Sequence, residues 1–341
     1  MRNFLWILFI PFILFAQEQI QPTKTPEEIQ QELNAAEKRF EHAKELFNPY
    51  YTGPLITPSA AMIPPGHIMI QPYVFVADNY AAFNKDRKSI SLPSNLVSLV
   101  LNPIFFQFGI TDTVDMSVQY AGVMNWQSGE FGGGLIDVQS TLGFIIFRET
   151  LYIPQFKFTI TETFPTGKYK NLSFNGLGLN GIGGGAYTTQ FGLAASKVLF
   201  WATLHPFRVR AFAGYALSTP AHIENFNSYG GGFGAHGTVH PGNALSLDLA
   251  GELSLTQKWV LALDIVYKSV NRRSFSGNPG RLADGTPSTV AAGYKDNLSL
   301  APAIEYNWSP TMGFVGGAWF SVYGRGTLNF VQAVLSVYAF L

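Results

Sequence analysis

From residue 66 to the end of the chain, apolar and polar positions alternate with a period of two. In "NALSLDLAGELSLTQ", Leu245, Leu247, Leu249, Leu253 and Leu255 share a face with Gly251, opposite Ser246, Asp248, Glu252 and Ser254. In "KWVLALDIVYKS", Trp259, Leu261, Leu263, Ile265 and Tyr267 oppose Lys258, Asp264 and Lys268. "NLSLAPAIEYNW" sets Leu298, Leu300, Ile304, Tyr306 and Trp308 against Asn297, Ser299, Glu305 and Asn307. Successive side chains of a strand point to opposite faces, so each segment predicts a strand with one oily and one wet side. Alternation over about nine to eleven residues outlasts most soluble strands and suits a tilted strand crossing a bilayer.

About twelve such segments occur, near 66–78, 95–108, 113–125, 134–148, 155–165, 186–200, 206–218, 243–255, 258–270, 296–308, 312–323 and 328–341. Every second connection is short: "ITDT", "ETLYIPQ", "WATLH", "TQ" and "SPT". The others, 79–94, 126–133, 166–185, 219–242 and 271–295, are mostly long, and only "GRGT" breaks the trend. Long external loops and short periplasmic turns are the asymmetry of bacterial barrels. Hydrocarbon supplies no hydrogen-bond partner, so every strand edge in it must be paired, and a closed ring does this. Residues 66–341 therefore predict an all-β fold, a closed antiparallel transmembrane β-barrel of about 12 strands. Trp259, Tyr306 and Trp308 fall beside the short turns, where an interfacial aromatic girdle belongs. The chain ends "NFVQAVLSVYAFL", with Val331, Ala333, Leu335, Val337, Ala339 and Leu341 on one face. This resembles the terminal signature that barrel-assembly machinery reads, with Leu341 where Phe is usual and Phe340 one place early.

The N-terminal part follows other periods. "MRNFLWILFIPFILFAQEQ" places Arg2 before an apolar run from Phe4 to Phe15, with Ala16 as the last residue of an expected signal peptide, 1–16. Residues 17–48 form the next unit, an expected periplasmic α-helix. Thr25, Pro26 and Glu28 make a capping box at its start. Ile29, Leu33, Ala36, Phe40, Ala43 and Phe47 follow at alternating spacings of four and three. That seam either packs on the barrel or makes a short coiled coil that oligomerises the protein through 29–47. A third use is a plug under or inside the barrel. Residues 49–65 read as a proline-rich linker.

Composition narrows the function classes. Net charge is zero, which gives no basic stripe for nucleic acid. Charged residues are 13%, about half the usual share. With no cysteine, disulfides, thiolate zinc sites and thiol catalysis are excluded. The mean hydropathy of +0.13 excludes a bundle of apolar helices.

Three motifs need weighing. Gly176, Gly178 and Gly181 match a dinucleotide turn, but no helix follows to hold a pyrophosphate. They read instead as an external loop, mobile or folded closely into the pore mouth. His222, His236 and His240 share a loop with Glu224, a weak candidate for a surface metal site. The third set is the ionisable residues expected on inner faces: Asp115, Asp137, Lys157, Arg208, Arg210, Asp248, Glu252, Asp264, Lys268 and Glu305. A tight turn at Thr256–Gln257 brings Asp248 near Asp264, so a cation or water is expected between them, with Arg210 and Lys268 the nearest cations. The set makes either an ion-pair network filling the lumen or a charge-lined path. No nucleophile motif accompanies it, so no enzyme and no cofactor are expected.

"QFGITDTVDMSVQY" (107–120) and "TETFPTGKY" (161–169) resemble the outer-membrane family named for the meta-pathway of phenol degradation, a resemblance that implies a transporter. The resemblance covers roughly 66–341 and implies a barrel that admits aromatic or other small apolar compounds. It carries over no catalytic residue. The expected function is passive passage of small-molecule solutes across the bacterial outer membrane, with membrane lipid and the assembly machinery as partners. The alternative is a structural or surface-interaction barrel with a filled lumen.

Overall fold

The computed structural model describes residues 24–46, 51, 53–199, 203 and 205–341. The expected signal peptide and Phe47 lie outside them.

One helix, α1 (Pro26–Leu46), precedes the strands. Its start is the expected capping box: Thr25 N–H donates to Glu28 Oε2 at 2.8 Å, and Glu28 N–H donates to Thr25 Oγ1 at 3.3 Å. Glu27 and Glu28 in the first turn also complement the helix dipole. The strands are β1 (Ile68–Ile70), β2 (Tyr73–Phe83), β3 (Ser89–Gly109), β4 (Val114–Gln127), β5 (Glu130–Leu135), β6 (Val138–Phe147), β7 (Gln155–Phe164), β8 (Thr188–Leu199) and β9 (Phe207–Ser218). They continue as β10 (Ala221–Glu224), β11 (His236–His240), β12 (Ala244–Ser254), β13 (Trp259–Val270), β14 (Ser274–Asn278), β15 (Lys295–Ser309), β16 (Met312–Arg325) and β17 (Leu328–Phe340).

Twelve of these form one closed antiparallel ring. Its order is β2, β3, β4, β6, β7, β8, β9, β12, β13, β15, β16 and β17, and β17 returns to β2 with Ala333 opposite Val76. The alternation sets the register. Leu249 is 49% exposed on the outer surface, whereas Ala250 beside it is 2% exposed on the inner one. Leu247, Leu263, Ile265, Leu335 and Val337 continue the outer band. In a membrane this band meets lipid, and closure leaves no ladder edge within it.

Two expected elements differ. The strand near 66–78 is split by Gln71 and Pro72, because proline has no N–H to give the ladder. The short β1 fits between the ends of β17 and β3, with Met69 opposite both Phe340 and Gln107. The main chains of Ile68 and Leu341 exchange hydrogen bonds at 2.9 and 2.8 Å, tying the chain's last residue into the seam. The long loop expected over 79–94 is instead a hairpin turning at 84–88, since β2 and β3 stay paired as far as Phe83 and Ser89. The 21 residues of β3 would span roughly 70 Å, more than twice the hydrocarbon thickness.

Outside the barrel, β10, β11 and β14 make a small second sheet. Ile223, Val239 and Val290 are its core. At the other end, Trp259 pairs across strands with Tyr306, ring centroids 4.5 Å apart, and Trp308 lies 6.4 Å beyond. This is the expected girdle beside the short turns.

Candidate functional site

The inner surface is polar, and the proline-rich segment 53–65 runs across it. Asp264 on β13 is fully buried, and its carboxylate accepts two backbone N–H groups. Leu55 donates at 3.0 Å and Thr57 at 2.8 Å. Glu305 on the neighbouring β15 accepts from Gly53 N–H at 3.3 Å. Leu55 then packs among Ala301, Val315 and Val334. Five residues on, the segment has reached the opposite wall. Ala60 packs on Ala194 and Phe212, and its carbonyl accepts from Gln155 Nε2 at 2.5 Å. The Ala61 carbonyl accepts from Lys157 Nζ at 3.0 Å. The segment leaves by Pro65, which bridges Gly109 at the end of β3. A Cβ at Gly109 would lie 2.1 Å from the Pro64 carbonyl oxygen, so glycine is needed for this passage.

The remaining wall charges are arranged around this segment. Lys157 also pairs with Asp115 at 2.6 Å, reaching over β6, which lies between their strands. The intervening residue is Gly143, whose added Cβ would sit 2.2 Å from Lys157 Cε. Asp115 further accepts from Gln107 Nε2 at 2.7 Å. Arg210 donates to both oxygens of Glu252, at 2.5 and 3.0 Å, a fork geometry that suits buried guanidinium–carboxylate pairs. The Arg208 guanidinium lies over the Tyr51 ring at 4.0 Å. Lys268 lies over Trp319 at 5.6 Å.

Nine of the ten ionisable residues expected on the inner faces lie on strands of the ring, and one is elsewhere. Asp137 stands at the rim before β6, where it accepts the N–H groups of Gly167 and Gly184, both at 2.8 Å. It is a loop anchor rather than a wall residue, because the strand starts one residue later. Asp248 and Asp264 are diagonal neighbours, since Asp264 is opposite Ala250. Of the two cations expected nearest this pair, Arg210 forks onto Glu252, and Lys268 lies near Asp248 without a direct bond to it, while peptide N–H groups of the linker bond Asp264. Asp248 Oδ1 is buried without a hydrogen-bond partner. The linker's part in the site carried no periodic signal. Its sequence cue was an excess of inner carboxylates facing small, proline-rich residues.

Of the three uses expected for the helix seam, packing on the barrel is the one its contacts show. Glu37 accepts the N–H of Leu151 in the turn 148–154, at 3.3 and 3.2 Å to its two oxygens. Phe40 is fully buried beneath Lys197, whose Nζ is 5.2 Å from the ring. Ile29 and Leu33, earlier in the same seam, are exposed.

At the external end, the glycine run folds over the rim. Asn125 on β4 donates to the Leu179 carbonyl at 2.9 Å, and a Cβ at Gly181 would meet Leu172 at 2.5 Å. Residues 165–187 contain no helix, so the glycine spacing serves close packing. Phe174 meets Phe226 edge to face and Phe233 at a tilt, at centroid distances of 5.6 and 4.7 Å. His222 bonds Thr238, and His236 bonds the Gly234 carbonyl. Among the described residues no three His, Asp or Glu side chains converge as a metal site.

No family model matches the sequence, and no curated protein does. Solved structures do. An outer membrane channel from Pseudomonas putida F1 superposes with a TM-score of 0.64 at 14% identity, covering 84% of this chain and all of that one. The transport unit of the autotransporter AIDA-I from Escherichia coli gives 0.40 at 10% identity, with 90% and 98% covered. A mutant of the monoaromatic hydrocarbon channel TodX gives 0.39 at 11%, with 87% and 93% covered. The first likeness places this chain in the fold of the outer-membrane β-barrels.

Proposed function

We propose that the protein is an exported outer-membrane channel for passive passage of small molecules, hydrophobic or aromatic ones included, with no catalytic role. Residues 1–16 direct export, and residues 53–65 of the linker act as a constriction inside residues 66–341. The observation that carries this reading is the lumen itself. Its wall is polar and charged, and what crosses it is a strap of chain, residues 53–65, that packs on the wall at Leu55 and at Ala60. A strap held by a few hydrogen bonds narrows a passage without filling it. The resemblance of 107–120 and 161–169 to the meta-pathway family supports small apolar compounds as solutes.

Planar-bilayer conductance tests the proposal, together with liposome swelling over solutes of graded size and polarity. Discrete conductance steps are expected, larger in a variant lacking residues 17–62. Silence from both proteins, in preparations that migrate as folded barrels, overturns it. The second reading, a surface-interaction barrel, rests on the external sheet having its own apolar core. It predicts that silence, together with binding that depends on the loops 219–243 and 271–294.

A further inference from the structure

Above the strap, on its external side, the lumen holds a cavity of about 670 Å³. Its walls are mostly apolar. Trp319 and Phe330 meet edge to face, centroids 5.1 Å apart, with Phe83 and Leu328 beside them. Trp319 is also the floor, since it packs against the cluster around Leu55. Its indole N–H donates to Ser299 Oγ at 2.8 Å, which fixes the ring's attitude.

Two lysines, Lys268 and Lys295, project into this cavity. Their situation differs from that of the cations lower in the barrel. Lys157 and Arg210 have carboxylates within 3 Å. Among the described residues neither Lys268 nor Lys295 has an ion-pair partner. Arg273 lies close enough to repel Lys295, and it too has no carboxylate partner. Of the acids nearby, Asp296 is taken by Arg87 in a two-pronged contact at 2.6 and 2.7 Å. Asp248 attracts Lys268 from a distance but does not bond it. Lys268 and Lys295 thus line an apolar chamber that has no carboxylate among its lining residues, and Arg273, held over the Tyr229 ring at 4.6 Å, adds positive charge near Lys295. Low-dielectric walls strengthen such a field and draw in negative charge.

We infer that this chamber is a binding site for monocarboxylates with an aromatic or short alkyl body. The carboxylate is held by Lys268 and Lys295, with the Asn297 amide between them on the same wall, where Asn297 lies opposite Lys268 in register. The apolar body lies against Trp319 and Phe330. The inference rests on the channel reading for its route from outside, and it deepens that reading by naming the solute class. Solutes of this class would gather directly above the strap.

The test is calorimetry on the full protein in lipid nanodiscs, which avoids detergent filling the lumen. The probes are 4-phenylbutyrate, 4-phenylbutan-1-ol and 4-phenylbutylamine, which share one body and differ in charge. The carboxylate is expected to bind at least about tenfold more tightly than the alcohol, and the amine more weakly than both. In Lys268→Met/Lys295→Met the carboxylate should fall to the level of the alcohol, with alcohol binding unchanged. Trp319→Leu should weaken carboxylate and alcohol alike. Equal binding of carboxylate and alcohol to the unaltered protein overturns the inference. So does preference for the amine, absence of all binding, or a carboxylate preference that survives the double substitution. If the double variant does not fold, the probe series on the unaltered protein and on Lys295→Gln decides. Binding does not require passage. Carboxylate binding without conductance would sink the channel reading alone, and conductance without carboxylate preference would sink this inference alone.

Discussion

The carboxylate of Asp264 holds the backbone N–H of Thr57 at 2.8 Å, although 207 residues separate the two in sequence. With the second bond from Leu55, a single wall residue grips two peptide groups of the strap. Each bond to a charged acceptor contributes about 1.5–3 kcal/mol. Asp264→Ala should therefore free this part of the strap at a cost of about 3 kcal/mol or more. Single-channel recordings should show a larger or noisier conductance, with Asp264→Asn between the two. Unchanged recordings from a folded Asp264→Ala barrel would refute the grip.

Gly109 gives a purely steric version of the same test. An added methyl must push the Pro64 carbonyl, which is backbone and cannot rotate away. Gly109→Ala should shift the strap near its exit without touching any charge. Conductance should change, whereas the strand content seen by circular dichroism should not.

Phe40 anchors α1. Removing its buried ring costs about 3–5 kcal/mol by the usual measure of large-to-small changes. The expected result for Phe40→Ala is an undocked helix, read as faster limited proteolysis between residues 24 and 46. The barrel's thermal transition should stay in place, because the ring ladder does not include the helix. Glu37→Gln should act in the same direction and more weakly.

In the external loops, Glu224 bonds Lys170 at 2.8 Å and Asn171 at 3.2 Å. These bonds, chiefly the one from Lys170, hold the Glu224 carboxyl below its ordinary range. A depressed carboxyl adds to loop order above its unfolded value and loses that contribution as pH falls through the folded one. Loop 165–187 should therefore resist protease at neutral pH and loosen only in acid, below the ordinary glutamate range. Glu224→Gln should remove the acid dependence, and the pair is exposed enough that salt will weaken it.

Much of the ring was legible because lipid and water impose opposite demands on adjacent residues. Leu261, Leu263 and Ile265 could only share a face, and the pleat does the rest. Pro72 hid the break in the first strand inside an otherwise regular run. The extent of β2 and β3 is not legible because alternation lapses at their far ends: "NYAAFNKDRKSISL" reads as loop, yet pairs as a hairpin. The inner carboxylates were visible, but their partners were not. Asp264 is satisfied by peptide groups, and any residue but proline offers one, so no side-chain pattern marks the match. The placement of Lys268 against Trp319 likewise depends on three strands meeting round a curve, which alternation along one strand does not encode.

The strap is moored at both ends. On one side β1 is stitched between the last strand and β3, and on the other Phe40 and Glu37 pin the helix to the barrel beside the turn 148–154. A tether fixed twice can bow but not be expelled, unlike a cork. Any widening it permits is then small in reach and self-reversing, with no docking step needed to restore the closed form.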